Sequence, residues 1–283
     1  MGRTVTLTAQ VRDTAGNTTT STRTLKVPTL VGVDAPTGAE WTNAMAAFPG
    51  VGYWRDFGVD GNDTDTLPEL PNNLAAGKFA TAPASSIPHM SWKDDVEQLG
   101  GWLDGLNRSI YLTWYHEPMG DVTPTTYRAT GARVTQILAN HPRRKLVLGH
   151  GPIVTRYWLD EGGGNPADWA YPGMTHYGVD CYQDTPTASS YWQVAKMFGV
   201  AFGKVRAAFP GVRLWVPEYG ITKLTSDPTG TGRAQAIRDQ IGWLKGQPDV
   251  DACAYFHNQA QFAKFALTDG PSQQAWRDVM AGQ

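Results

Sequence analysis

The sequence predicts a (β/α)8 TIM barrel, an α/β fold, preceded by a short β-hairpin. Three observations lead to this fold class. After residue 28, eight strand-like stretches alternate with helix-like or loop-like stretches over about 250 residues, which is the usual length of such a barrel. Polar residues collect at the carboxyl ends of these strands, where such barrels place their sites. The chain has 283 residues, 41% of them hydrophobic, so it can bury a large core.

The first 28 residues have the pattern of a hairpin. Val5, Leu7, Ala9 and Val11 alternate with polar residues, and a turn at 13–17 leads into a second alternating stretch. This segment resembles the last two strands of a truncated immunoglobulin-like module of the kind found beside carbohydrate-active domains. Because two strands alone are marginally stable, we expect the rest of that module to precede this segment in a longer chain. The predicted domains are therefore the hairpin at 1–28 and the barrel at 29–283.

The barrel strands and helices follow from hydrophobic runs and from helix-start signals. Thr123 followed by Pro124 is a favourable N-cap and first-turn pair, and Ser91 could cap an earlier helix. The predicted strands are 30–33, 51–55, 87–92, 110–116, 145–150, 177–182, 213–218 and 252–257. The predicted helices are 40–48, 91–106, 123–140, 187–209, 231–245 and 273–280, with long loops at 60–78 and 159–173.

Composition excludes several classes of function. A net charge of −2 and a pI near 6.3 give no reason to expect nucleic acid or an anionic membrane as a partner. No apolar run is long enough to span a bilayer, and no Gly-rich phosphate loop indicates a cofactor. Cys181 and Cys253 lie in predicted strands, which favours buried free thiols over a disulfide or a metal site. We expect a secreted protein that is a monomer within a longer multidomain chain.

Two predicted strands end in a glutamate, and these two residues are the strongest functional signal. Glu117 ends the fourth strand and is followed by Pro118, while Glu218 ends the seventh strand and follows Pro217. An apolar strand cannot bury a carboxylate cheaply unless the group is paired or used. Strands four and seven lie on roughly opposite sides of an eight-stranded barrel, so both side chains can reach one cleft. We therefore expect Glu117 and Glu218 to share a site.

A pair of carboxyl groups across a cleft is the typical catalytic arrangement for hydrolysis of a glycosidic bond. One group protonates the leaving oxygen, and the other is ionised. Carboxyls about 5–5.5 Å apart allow direct attack and retention, whereas about 6.5–9.5 Å leaves room for a water and gives inversion. We expect Arg55 and Tyr182 to keep Glu218 ionised, because charge-assisted hydrogen bonds favour the anion. The aromatic surroundings of Glu117 should raise its pKa, which suits an acid.

Several other polar or aromatic residues fall at predicted strand ends. His116 could contact the nucleophile or a substrate hydroxyl, or it could pack in the core. The same two alternatives, lining the site or packing, apply to a further set: Asp34, His89, Trp92, His150, His257 and Asn258. No His-x-His pair occurs on the first strand, so we predict no metal site.

Four short motifs resemble those of glycoside hydrolase clan A, and most of all family 26, the β-mannanases. They are His116-Glu117, Pro217-Glu218-Tyr219-Gly220, Asp180-Cys181-Tyr182 and Ser91-Trp92. The resemblance implies a retaining glycosidase that hydrolyses O-glycosyl bonds of a β-linked polysaccharide, with mannan as the expected substrate and an endo-acting mannanase as the expected type. It assigns Glu117 as acid/base and Glu218 as nucleophile, with Tyr182 touching the nucleophile. The aromatic that forms a sugar subsite after the family's acid/base has no counterpart in residues 118–122.

Two rival functions are compatible with a barrel. A metal-dependent hydrolase would need a cluster of ligands on neighbouring strands, whereas the histidines here end single strands. A barrel that binds polysaccharide without cutting it, as part of a secreted or particle-associated protein, would need no acid pair. The presence of both glutamates favours the enzyme. A reducing-sugar assay distinguishes the enzyme from the binding module.

Overall fold

The structure of the chain is a computed structural model that describes residues 3–35, 38–56, 81–93, 95–258 and 264–281. Its strands are β1 (Arg3–Arg12), β2 (Thr18–Val27), β3 (Leu30–Asp34), β4 (Tyr53–Asp56), β5 (Ile87–Trp92), β6 (Ile110–Trp114), β7 (Val147–His150), β8 (Ile153–Thr155), β9 (His176–Gln183), β10 (Arg213–Ile221) and β11 (Val250–Phe256). The α-helices are Gly38–Ala47, Gln98–Gly105, Pro124–Asn140, Arg156–Asp160, Val200–Ala208, Thr231–Lys245 and Gly270–Met280.

Strands β3 to β11 form one parallel sheet in the order β7-β6-β5-β4-β3-β11-β10-β9-β8. Its two edge strands, β7 and β8, are consecutive in the chain and separated only by residues 151–152. Backbone hydrogen bonds join this segment to β9, at 2.9 Å from Thr175 to His150 and at 2.7 Å from Gly178 to Pro152. The segment 147–155 is therefore one interrupted fifth strand that contacts β6 on one side and β9 on the other. The sheet curls into the barrel that the sequence predicts.

Glycines allow this closure and the close packing inside the barrel. A Cβ at Gly151 would lie 1.8 Å from the carbonyl oxygen of His176, and one at Gly32 would lie 1.5 Å from that of Tyr53. The barrel interior holds a compact cluster in which Tyr111 packs edge-on against Tyr53 and Trp215. The lower part of the barrel is thus filled by side chains, which leaves the carboxyl ends of the strands for a site.

All eight predicted barrel strands are present, whereas two helix starts were wrong. Ser91 does not cap a helix, because it lies within β5 and its hydroxyl accepts a hydrogen bond from Arg55. The helix predicted from residue 187 begins near Ala195, where a short π-helical stretch, Ala195–Gly199, precedes Val200–Ala208. Thr123 caps the helix Pro124–Asn140 as expected. The predicted loop at 60–78 lies outside the described residues.

The hairpin of β1 and β2 pairs antiparallel from Arg3↔Val27 to Arg12↔Thr18. Its apolar side chains are open to solvent, with Leu7 and Val11 exposed by 52% and 69%. Its origin in an immunoglobulin-like module stays a prediction. Cys181 and Cys253 are both buried free thiols, as expected. Among the described residues, we find no helix with the length and hydrophobicity needed to cross a membrane.

Candidate active site

Glu218 lies on an irregular stretch of β10. The pairing of β10 with both neighbours shifts register between residues 215 and 219, which marks a bulge. Pro217 lies within this stretch, and it has no N–H to give to a regular ladder. Bulges re-aim side chains at barrel rims. Gly220 lets the strand pass close to Tyr182, because a Cβ at this position would lie 2.8 Å from a ring atom of Tyr182.

Three side chains hold the Glu218 carboxyl. The Tyr182 hydroxyl donates a hydrogen bond to Oε2, and Nε2 of His116 lies 2.8 Å from Oε1. The guanidinium of Arg55 places Nε 3.9 Å from Oε1. Burial acts to raise the pKa of Glu218, but His116, Arg55 and Tyr182 outweigh it and lower that pKa. Glu218 is therefore a carboxylate at neutral pH, as a nucleophile must be.

The position of Arg55 is itself fixed by neighbouring strands. Arg55 is the last residue but one of β4 and is fully buried. Its Nη1 donates to the Ser91 hydroxyl at 2.6 Å and to the His89 carbonyl oxygen at 3.4 Å, both on β5. These two hydrogen bonds hold the buried guanidinium beside Glu218.

Glu117 sits on a strained turn directly after β6. Tyr115 and Glu117 have positive φ angles of 56° and 48°, and they are the only non-glycine residues in the described part of the chain with this conformation. The Glu117 amide donates to the Ile153 carbonyl oxygen at 3.1 Å, which ties the turn to β8. Left-handed backbone at bulky residues is costly and is concentrated at functional sites. The strain here directs the acid side chain toward the barrel mouth.

The surroundings of Glu117 favour its protonated form. Burial raises its pKa to about 8, the charge of His116 opposes this, and the charges of Asp180 and Glu218 add to it. Nε2 of His116 lies 3.9 Å from Glu117 Oε1 and 2.8 Å from Glu218 Oε1. These two carboxyl oxygens are therefore at most about 7 Å apart, a bound that includes both the retaining and the inverting separation. At this site the pKa of Glu117 is raised and that of Glu218 is lowered.

The ligand-type atoms of His116, Asp180 and Glu218 lie within 4.8 Å of one another. Such a spacing could suit a cation, but hydrogen bonds account for the arrangement. Nε2 of His116 lies 2.8 Å from an oxygen of each carboxyl, and the charge of Arg55 already faces Glu218. We therefore describe this cluster as a hydrogen-bonded group and assign no metal ligands.

The structure brings five of the predicted site residues together at the barrel mouth: Glu117, Glu218, His116, Tyr182 and Arg55. It places His89 below them, inside the barrel. There Nδ1 of His89 lies 2.7 Å from the Tyr53 hydroxyl, and Nε2 lies 2.8 Å from the Thr113 hydroxyl. Burial lowers the pKa of His89 well below its usual value, so this histidine is a neutral core residue.

For the remaining predicted site residues, the structure shows contacts with other parts of the barrel. His150 stacks on Tyr171 with Nδ1 3.2 Å from its hydroxyl, and burial lowers the pKa of His150 to about 4. His257 accepts the Leu267 amide at Nδ1, and burial likewise lowers its pKa to about 4. The others contribute buried side chains or backbone contacts: Asp34, whose carbonyl accepts the His257 amide; Trp92, fully buried; and Asn258, whose carbonyl accepts two amides.

Two residues of the site were not predicted as site residues from the sequence. Asp180 is buried and lies 2.8 Å from His116, and Ser91 anchors Arg55. A signal for Asp180 was present, because residues two apart on a strand face the same side and Tyr182 was predicted to reach the site. Ser91 gave no comparable signal, since its role depends on the neighbouring strand.

Comparison with known proteins supports this description of the fold. The family model described as "Glycosyl hydrolase catalytic core" matches residues 134–274, a span that includes Asp180, Tyr182 and Glu218. A search of curated proteins found no match. The chain has a glycoside hydrolase clan A-type barrel fold.

Solved structures show the same fold at low sequence identity. A mutant endo-β-1,3-glucanase of glycoside hydrolase family 128, subgroup I, from Amycolatopsis mediterranei, with laminaripentaose, is 17% identical with a TM-score of 0.55, covering 89% of this chain and 99% of that one. A family 39 enzyme from Xanthomonas axonopodis pv. citri is 14% identical with a TM-score of 0.57, covering 90% and 66%.

A third similar structure is named for binding. It is a family 128, subgroup VII, oligosaccharide-binding protein from Trichoderma gamsii, 14% identical with a TM-score of 0.51, covering 89% of this chain and 93% of that one. The comparisons thus support the clan, whereas family 26, the narrower resemblance of the motifs, finds no support in them.

Proposed function

We propose that this protein is a retaining glycoside hydrolase that cleaves a β-linked glucan, with β-1,3-glucan as the first substrate to test. Glu117 is its acid/base, and Glu218 is its nucleophile. The observation that carries the proposal is the contrast between the two carboxyls. His116, Arg55 and Tyr182 hold Glu218 as an anion, while burial keeps Glu117 protonated up to a pH of about 8.

In the first step, a Glu218 oxygen attacks the anomeric carbon and the bond from that carbon to the glycosidic oxygen breaks. The proton of Glu117 passes to the departing oxygen, which leaves as a hydroxyl group. Arg55 and Tyr182 hold the attacking carboxylate in one orientation, so little reorganisation is needed during attack. The products of this step are a shortened glycan and a glycosyl ester on Glu218.

In the second step, water replaces Glu218 at the anomeric carbon. Esterification removes the negative charge of Glu218, so one of the two charges that raised the pKa of Glu117 is gone. Glu117, now ionised, takes a proton from the attacking water, and the ester bond to Glu218 breaks. Two displacements return the original configuration and both carboxyl groups to their starting protonation states.

The choice of β-1,3-glucan over mannan rests on the relatives. The family 128 structures of subgroups I and II are described as endo-β-1,3-glucanases, and one of them is in complex with laminaripentaose. Mannan was the substrate implied by the family 26 motifs, and the comparisons give it no support. We propose that this activity takes place outside the cell, where we expect its polysaccharide substrate.

A second candidate function is a binding module without hydrolysis. It is favoured by one observation, the similarity to family 128 proteins named for oligosaccharide binding. In that case, the acid pair would be retained without turnover.

A polysaccharide panel tests the proposal. Laminarin, β-1,4-mannan, xylan and a β-1,4-glucan are incubated with the protein, and released reducing sugar is measured. The same polymers are cast in gels to measure retardation. We expect sugar release from laminarin and little from mannan. Release from mannan alone would restore the original substrate expectation, whereas retardation without any sugar release would favour the binding module.

A further inference from the structure

Asp180 is the buried carboxyl that the proposed mechanism leaves without a task. It lies on β9, only 1% exposed, two residues before Tyr182. Side chains alternate along a strand, so Asp180 and Tyr182 face the same side, one below the other. Asp180 thus lies directly beneath the place where Tyr182 meets Glu218, too deep to be an ordinary rim residue.

The contacts of Asp180 join the two catalytic strand ends. Its Oδ2 lies 2.8 Å from His116 Nε2, the same nitrogen that lies 2.8 Å from Glu218 Oε1. This nitrogen also lies 3.9 Å from Glu117 Oε1, so His116 links Asp180 to both glutamates.

Resting on the proposed function, we propose that Asp180 is a positioning residue of this site. It holds His116 between the two glutamates and keeps the proton on Glu117 until the glycosidic oxygen takes it. Glu117 and Asp180 approach the same nitrogen of His116, at 3.9 Å and 2.8 Å. Two neighbouring carboxyls cannot both ionise without repulsion, so the pair retains one proton between them.

The charged and titratable groups around the pair come from four strands. Those that face Glu117 are His116, Asp180 and Glu218, and those that act on Asp180 are Glu218, Arg55 and Glu117. Arg55 opposes the effect of burial on Asp180 but does not cancel it, so the pKa of Asp180 is raised. The direction for Glu117 is the same, and both shifts favour a shared proton.

The lower end of the barrel supplies a matched control. There Nε2 of His176 lies 2.8 Å from Oδ2 of Asp251, which is the same contact between the same residue types. Nε and Nη2 of Arg213 donate hydrogen bonds to the two carboxyl oxygens of Asp251. Asp251→Asn therefore disturbs a buried His–Asp pair without touching the carboxyl pair at the mouth.

The direct test is a pH titration of the Glu117 side-chain carbon by ¹³C NMR, with the resonance assigned by its loss in Glu117→Gln. The unsubstituted protein should titrate near pH 8. Asp180→Asn should lower this midpoint by about 1 unit or more, because it removes a negative charge and leaves an amide that stabilises the ionised form. Asp251→Asn should leave the midpoint unchanged. An unchanged midpoint in Asp180→Asn would overturn the proposal.

His116→Gln gives an independent test of opposite sign, which still applies if Asp180→Asn fails to fold. The charge of His116 lowers the pKa of Glu117, so its removal should raise the midpoint while Asp180 remains. A lowered or unchanged midpoint would contradict the proposal. The titration needs no substrate, so its outcome is separate from that of the polysaccharide panel. If the panel finds a substrate, the alkaline limb of kcat/KM should move down with the midpoint in Asp180→Asn only.

Discussion

The two ends of the barrel each hold a histidine against an aspartate at 2.8 Å, but the pKa values of the two aspartates shift in opposite directions. At the mouth, the contact is His116 with Asp180, and at the base it is His176 with Asp251. Burial raises the pKa of Asp180, and the charge of Glu218 adds to it. Burial also acts to raise that of Asp251, but hydrogen bonds from His176 and Arg213 outweigh it and lower the pKa.

The difference lies in the number of carboxyls that share each cation. At the base, the single carboxyl of Asp251 forms hydrogen bonds with both Arg213 and His176. At the mouth, three carboxyls, Glu117, Asp180 and Glu218, share Arg55 and His116. A surplus of buried negative charge is costly for stability, but it keeps a proton available for transfer. The contrast indicates that the mouth is built for proton chemistry and the base for holding strands together.

The largest effect on activity should follow removal of the Glu218 carboxylate. Glu218→Ala should lower turnover by a factor on the order of 10⁴ or more, because it removes the attacking group. Azide should restore activity and give a glycosyl azide of inverted configuration. Glu97→Ala, which breaks an exposed pair with Arg133, is the control and should keep full activity. Full activity in Glu218→Ala would exclude this residue as nucleophile.

Removal of the acid should have an effect that depends on the leaving group. Glu117→Ala should slow natural glycans by about 10²–10⁴-fold while sparing activated aryl glycosides, which need no protonation. In the unsubstituted enzyme, the acid form is lost as pH rises through about 8, so activity on natural glycans should fall there. Rate measurements on both substrate classes provide the check. Equal losses on the two classes would contradict the acid role.

A smaller effect should follow the loss of a single donor to the nucleophile. Tyr182→Phe should reduce kcat by about 10–100-fold, the range for a hydrogen bond to a charged group. The Tyr182 bond lowers the pKa of Glu218, so its loss should move the acid limb of the pH profile to higher pH. Tyr177→Phe, on the same strand, loses a 3.2 Å bond to the Pro166 carbonyl and should leave the profile in place. Identical pH profiles for the unsubstituted protein, Tyr182→Phe and Tyr177→Phe would argue against Tyr182 as the donor to Glu218.

The smallest catalytic effect should come from the base of the barrel. Asp251→Asn should leave kcat unchanged but lower the free energy of unfolding by about 1–3 kcal/mol at neutral pH. The folded-state pKa of Asp251 is depressed, so this contribution is present above its unfolded value and is lost as pH falls through the folded value. Denaturant unfolding at pH 7 and at low pH measures the change. If Asp251→Asn lost activity without losing stability, the claim that the base of the barrel serves only to hold strands together would be contradicted.

The sequence could predict the barrel and the acid pair because their signals are local. Hydrophobic runs ending in Glu117 and Glu218 are visible one strand at a time, and eight such units define the fold. It could not sort the histidines, because whether His89 lies in the core or the site depends on Tyr53 and Thr113 on other strands. The bulge at Glu218 and the left-handed turn at Glu117 also arise from long-range packing.

The stereochemistry of hydrolysis tests the central claim most directly. ¹H NMR can follow laminarin digestion at a time short compared with mutarotation, and it reads the anomer that is released first. Direct attack by Glu218 predicts that the β-anomer appears first and the α-anomer only later by mutarotation. First appearance of the α-anomer would mean that water attacks in a single displacement, and it would contradict the role of Glu218 as nucleophile.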